Sequence, residues 1–236
     1  VTNSTLQGNG TGYGIEALWI FSVKIVGNAL RGYGIGMSVQ AEIRGSVTDN
    51  VVEDCYGAGI AMSRFNELEV SRNVVRACGQ GFDLTAGEAI VVGNRVERCA
   101  NREFLWQGHG MRVGAHAATV ECNVTWQCDG DGLWVEFLGG VGSRIANNTS
   151  CLNYGSGVVM RLNLLDEDGG VEVTNNIGWS NGGWGINWLR PPEGRVTKVA
   201  CNDWLGNGTG DVGGAAPSSN DIAVDPQFCD PASGDF

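Results

Sequence analysis

The chain has 236 residues, carries 15 Lys and Arg against 26 Asp and Glu for a net charge of −11, and holds 38 glycines among 42% hydrophobic residues. That acidity excludes a nucleic-acid partner, which needs a basic face, and no apolar run reaches the roughly 18 residues of a membrane span. The apolar content excludes disorder, and glycine without a three-residue period excludes collagen, which leaves an all-β chain with frequent bends.

Residues 1–22 read as a worn first coil, with Tyr13, Gly14 and Ile15 at its strand start. From there one pattern recurs, anchored on Asn28, Asn50, Asn73, Asn94, Asn123, Asn148, Asn176 and Asn202. Three residues before each anchor stands a β-branched apolar residue: Ile25, Val47, Val70, Val91, Val120, Ile145, Val173 and Val199. A glycine and a short apolar strand follow each anchor, as at Ile35 to Met37, Ile60 to Met62 and Phe82 to Leu84. A repeat this short holds three strands and three bends and no helix, so each unit buries its apolar face only against its neighbours. The anchor Asn is expected to take the left-handed backbone region and to bond its amide to the Asn of the next coil.

Cys55, Cys78, Cys99 and Cys128 each fall five residues after an anchor, and Asn153, Asn181 and Asn207 take that place later. Stacked one strand spacing apart, the thiols read as a buried ladder rather than a disulfide framework. Insertions interrupt the period at residues 100–107, 162–170 and 189–194, and such insertions form loops on one face. Residues 213–236 lose the period and read as a loop-like tail with a possible last strand at Ile222 to Val224. The chain opens within a repeat and ends without a closing cap, which reads as a piece of a longer protein, otherwise monomeric.

With the Asn ladder and its glycine-apolar rungs over residues 3–212, the chain resembles the right-handed parallel β-helix repeat proteins of the pectin-lyase-like superfamily. Asp225, Pro226 and Phe228, followed by Asp230 and Pro231, are similar to the segment that ends many bacterial surface or secreted members. The resemblance implies an all-β, right-handed parallel β-helix solenoid of about eight coils. It also implies a secreted or cell-surface location and a polysaccharide or glycan partner, with hydrolase, lyase or no activity all represented.

Alternation along each strand sets the outward residues. Coil two is expected to present Tyr33, Gly36 and Ser38, and coil three Ala58, Ala61 and Ser63. Coils four to seven concentrate chemistry: Asp83, His109, Arg112, Asp131, Glu136 and Arg161 are the candidate catalytic groups. Trp106, Trp134, Trp184 and Asn187 are the candidate sugar contacts. His109, between Gly108 and Gly110, resembles a polygalacturonase stretch, although the preceding coil carries Gln80 where paired aspartates stand there. Inverting hydrolysis needs two carboxyls about 6.5–9.5 Å apart, and Asp83 with Asp131, two coils apart, is expected near that separation. Lyase chemistry instead needs a base and a cation to neutralise a uronate, for which Arg112 and Arg161 are available. The insertion at 100–107 is expected to act as a lid. No cofactor is required, though calcium at Asp166, Glu167 and Asp168 with Asp221 and Asp225 is open. The alternative is a non-catalytic stalk or glycan-binding module.

Overall fold

The computed structural model describes residues 1–100, 107–137, 142–162, 170–190, 196–214, 218 and 220–235. Two parallel sheets wind around one apolar core, a 12-stranded sheet and a 9-stranded sheet. In the first coils the chain runs through a long bent strand, such as Ala58–Ser71, then a three-residue strand, such as Val74–Arg76. Later coils split the long strand, as at Leu133–Phe137 and Ser143–Ala146. The described residues contain no helix.

The sequence ladder is the strand register. Ile25, Val47, Val70, Val91, Val120, Ile145, Val173 and Val199 pair in unbroken succession through eight coils. The first seven of these are fully buried. A second apolar rung runs Ile15, Met37, Ile60, Phe82, Met111, Leu133, Val158, Ile186 and Val212. It corrects one expectation, because coil two enters this rung at Met37 and not at Ile35, so Ser38 rather than Gly36 lies in the outward row of Ala61 and Asp83. The glycine before each rung member from Ile15 to Ile186 accounts for the register. A Cβ on Gly14, Gly36, Gly110 or Gly157 would lie 2.5–2.7 Å from the carbonyl oxygen of the next coil's glycine. Only a hydrogen fits there, and the chain slides until glycine meets glycine.

The Asn ladder is present as expected, with one change in its reason. From Asn50 onward each Asn Oδ1 accepts both the backbone N–H and the Nδ2 of the Asn one coil earlier; for Asn50 these lie 2.9 and 3.0 Å away. The left-handed residue is not the Asn but the one before it: Gly27, Asp49, Arg72, Gly93, Cys122, Asn147, Asn175 and Cys201 all have positive φ. The bend is made there, which frees the Asn to point inward and bond. The ladder ends on a carboxylate, since Asp221 Oδ1 accepts the N–H and Nδ2 of Asn202, both at 3.0 Å.

Cys55, Cys78, Cys99 and Cys128 are buried as expected. At Cys128 the thiol ladder gives way to a second amide ladder: its N–H donates to Asn153 Oδ1 at 2.9 Å, and Asn181 and Asn207 continue it. The tail begins after the strand Gly210–Gly213, and Ile222 pairs with Asp203 as an isolated bridge rather than a strand.

Candidate active site on the outer face of the long sheet

Strand register decides which outward residues meet. Asp83, Arg112 and Trp134 are direct neighbours in one row, continued by Val159 and Asn187. Two residues on, Glu136 pairs with Gly114 and with Arg161. Gly114 brings no side chain, so the arginines on either side reach Glu136. Together with Gln80, Gln107 and His109, these residues line a depression of about 310 Å³. Five of the six candidate catalytic groups therefore converge, and so does Trp134.

Charge alternates across the depression. Arg112 Nη1 donates to Asp83 Oδ1 at 2.9 Å, and its Nη2 lies 3.6 Å from Glu136 Oε2. Arg161 Nη1 donates to Glu136 Oε1, also at 2.9 Å. The acid–arginine–acid–arginine strip is electrically balanced, and each guanidinium has five N–H groups, more than its carboxylate partners use.

His109 is not the solvated outward group its place in a glycine loop suggests, being only 6% exposed. Gly130 makes this possible, since a Cβ there would meet His109 N and Nδ1 at 2.8 Å. The Asp131 N–H donates to His109 Nδ1 at 3.0 Å, so Nδ1 is an acceptor and the proton sits on Nε2. Nε2 lies 2.6 Å from Gln107 Oε1, to which it donates. Burial pushes the imidazole below its ordinary 6.5, and the Arg112 guanidinium adds to this against the opposing pull of Asp131. His109 is thus a neutral hydrogen-bond donor at the edge of the depression, its ring centroid 5.3 Å from that of Trp134.

Asp131 lies apart from the two carboxylates that face the depression. Its Oδ1 accepts the Ser156 N–H at 2.6 Å, and its Oδ2 is 3.4 Å from His109 Nδ1. Burial raises it from 3.8, with the Ser156 N–H and His109 opposing. The cause is desolvation rather than a second carboxylate. Asp131 shares the row of His109 and Gln80, three residues before that of Asp83, so the Asp83–Asp131 backbone separation is about 14 Å on strand spacings. The Asp83–Asp131 backbone separation thus exceeds the two coil spacings expected from the sequence. Asp131 and Glu136 lie five residues apart in one coil, Asp131 in the bend before the strand Leu133–Phe137.

The remaining candidates separate. The Trp184 ring packs on Gly210 and Gly213 in the following coil and does not line the depression. Asn187 shares the Arg112 row but lies three coils further along. Trp106, with residues 101–106 of the expected lid, and the acidic stretch 166–168 lie outside the described residues. Asp221 is taken up by the end of the Asn ladder, and the described residues contain no group of three or more His, Cys, Asp or Glu placed for a metal. Gln80 was legible as an outward residue yet not as part of the site. Its offset, identical to that of His109, was the available signal.

The parallel coils, the Asn ladder and this outward site define a right-handed parallel β-helix protein with a polar depression on its flank. The family described as "Right handed beta helix region" matches residues 1–102. A crystal structure of a mutant of the periplasmic alginate epimerase AlgG is similar in fold, with TM-score 0.63 and 14% identity over 86% of this chain and 49% of that one. A double mutant of the same enzyme aligns with TM-score 0.47 and 12% identity over 88% of this chain and 60% of that one. The chain thus spans about half the length of the first. No curated protein sequence matched the chain.

Proposed function

We propose that the depression binds a polysaccharide strand containing acidic sugars and that His109 transfers a proton on it, with the protein acting outside the cytoplasm. The observation that carries this reading is a buried, neutral imidazole sharing one concavity with two arginines. Arg112 and Arg161 would hold the uronate carboxylate, and Gln80 and Gln107 would meet its hydroxyls. If Nδ1 gives up the Asp131 N–H and takes the proton, donating instead to Asp131 Oδ2 at 3.4 Å, Nε2 becomes an acceptor at the depression. Nε2 would then take the proton from the carbon bearing the carboxylate, and the electron pair moves into a carboxylate that arginine stabilises. Return of a proton from water on the opposite ring face, with the imidazolium releasing its own to solvent, gives the epimer. Expulsion of the neighbouring glycosidic oxygen, which takes the proton from the His109 imidazolium, gives a cleaved chain with an unsaturated sugar. The solved epimerase of similar fold acts on alginate, and its periplasmic setting accords with this reading.

Incubating polyuronates in deuterated water tests it. Deuterium in the recovered sugar, or ultraviolet absorbance from unsaturated ends, is expected from the native chain and not from His109→Ala. Neither signal from any polyuronate would refute the proton-transfer reading. The balanced charge of the strip favours, as a second reading, a binding module without turnover, which retention of oligosaccharide without either signal would support.

A further inference from the structure

A second concavity, of about 720 Å³, lies on the 9-stranded sheet, open to solvent and bordered on one side by Ala232 and Ser233 of the C-terminal arm. After Ile222 pairs with Asp203, the arm runs back across that sheet. Phe228 packs edge-on to Trp179 at 5.8 Å, and further on Gly234 O accepts from Arg95 Nη2 at 2.9 Å. The arm thereby reaches from the last coil back to the strands Arg95–Glu97 and Val124–Trp126. Gly234 is buried in that contact, and a Cβ there would press on the Trp126 ring at 3.1 Å.

The lining is the reverse of the chain's overall charge. Three arginines, Arg76, Arg95 and Arg98, face the space beside one carboxylate, Glu97, in a protein of net charge −11. Arg95 lies 3.6 Å from Glu97, and Arg76 pairs with Glu53 at the edge. Arg98 pairs with no carboxylate among the described residues; its guanidinium lies 5.9 Å from the Trp126 ring. Val51 and Val74 give apolar surface, and Gln127 and Ser233 give hydrogen-bonding edges. A space of this size suits an organic ligand of several rings rather than a simple ion.

We propose that this concavity is a second glycan site, separate from the depression on the long sheet, that takes an acidic sugar segment. The sugar carboxylate meets the planar fork of Arg98, the geometry that a guanidinium matches to a carboxylate. The ring faces lie on Val51 and Val74, and the hydroxyls meet Gln127 and the Ser233 hydroxyl of the arm. Two sites on different sheets would hold one long chain, or two, by avidity.

The test titrates a uronic-acid hexasaccharide into the full chain carrying Arg112→Gln and Arg161→Gln, which silences the depression. Residual binding is expected that weakens with salt and falls about tenfold or more on adding Arg98→Gln, the loss of one charge-assisted pair. In the unaltered chain the same sugar should shift the Arg98 side-chain Nε–H resonance, a readout that needs no substitution. Equal binding of a neutral hexasaccharide, displacement by equimolar inorganic phosphate, or an Arg98 resonance that does not move would each overturn the proposal.

Discussion

Asn123 offers a strong test of how the solenoid is held together. Its side chain is 2% exposed and makes four hydrogen bonds. Oδ1 accepts the Asn94 N–H at 2.9 Å and Asn94 Nδ2 at 3.0 Å, while Nδ2 donates to Val91 O at 2.8 Å and Asn148 Oδ1 at 3.0 Å. In Asn123→Ala, Asn94 Nδ2 keeps Val70 O and Asn148 Oδ1 keeps the residue 123 N–H. The Asn94 N–H keeps nothing. One orphaned buried donor costs about 1–3 kcal/mol and each bond lost between otherwise satisfied partners about 0.5–1.5. With one orphaned donor and three such bonds the sum is roughly 2.5–7.5 kcal/mol, a large part of the ~5–15 kcal/mol that holds a domain folded. Asn207→Ala is the control: Asn207 serves Asn181 in the same way but is only half-buried, so water replaces part of what it supplies. Urea unfolding followed by circular dichroism should show a large fall in midpoint for the first and a small one for the second. Amide exchange should be fastest in the coils on either side of position 123. Equal losses in the two variants would refute burial as the source of the ladder's strength.

Three further outcomes follow from the same geometry. The His109 imidazole should titrate below 6.5 by NMR, lower still in Asp131→Asn and higher in Arg112→Gln, since those neighbours pull in opposite directions. Because the folded imidazole binds its proton less readily than the unfolded one, its contribution to stability is present above pH 6.5 and declines as pH falls through the folded midpoint. Asp131, raised from 3.8, contributes oppositely: its stabilisation is fully present below 3.8 and is lost as pH rises through its folded midpoint. Of the eight cysteines, the exposed Cys122, Cys201 and Cys229 should react with a thiol reagent in the native protein, and the other five only in urea. Burial pushes Cys151 up to about 12, so raising the pH to 9 should not expose it to reagent. Val70→Asp and Ile145→Asp each place an unpaired charge at a fully buried rung position and should prevent folding, read as loss of the strand signal in circular dichroism.

What the amino-acid order determined was everything periodic. A β-branched residue three places before each Asn, a glycine that admits no Cβ, and a small buried group five places after it are local rules, and stacking repeats them as rungs. Alternation along the strand even named most of the site, because Asp83, Arg112, Glu136 and Arg161 sit at regular offsets, and register carried them together. Tertiary structure alone decided what depends on depth and on breaks in the period. His109 is buried and not solvated because Gly130 lets the next coil close against it, a contact 21 residues away along the chain. Asp131 is near His109 and far from Asp83 because one strand step of 3.3 Å and one coil step of 4.8 Å add in different directions, which residue counting merges. Trp184 looks like a sugar platform in its own coil and becomes packing because Gly210 and Gly213 in the next coil leave room for its ring. The arm's return to Arg95 comes from no periodic signal. It joins residues 139 apart through one carbonyl and one guanidinium.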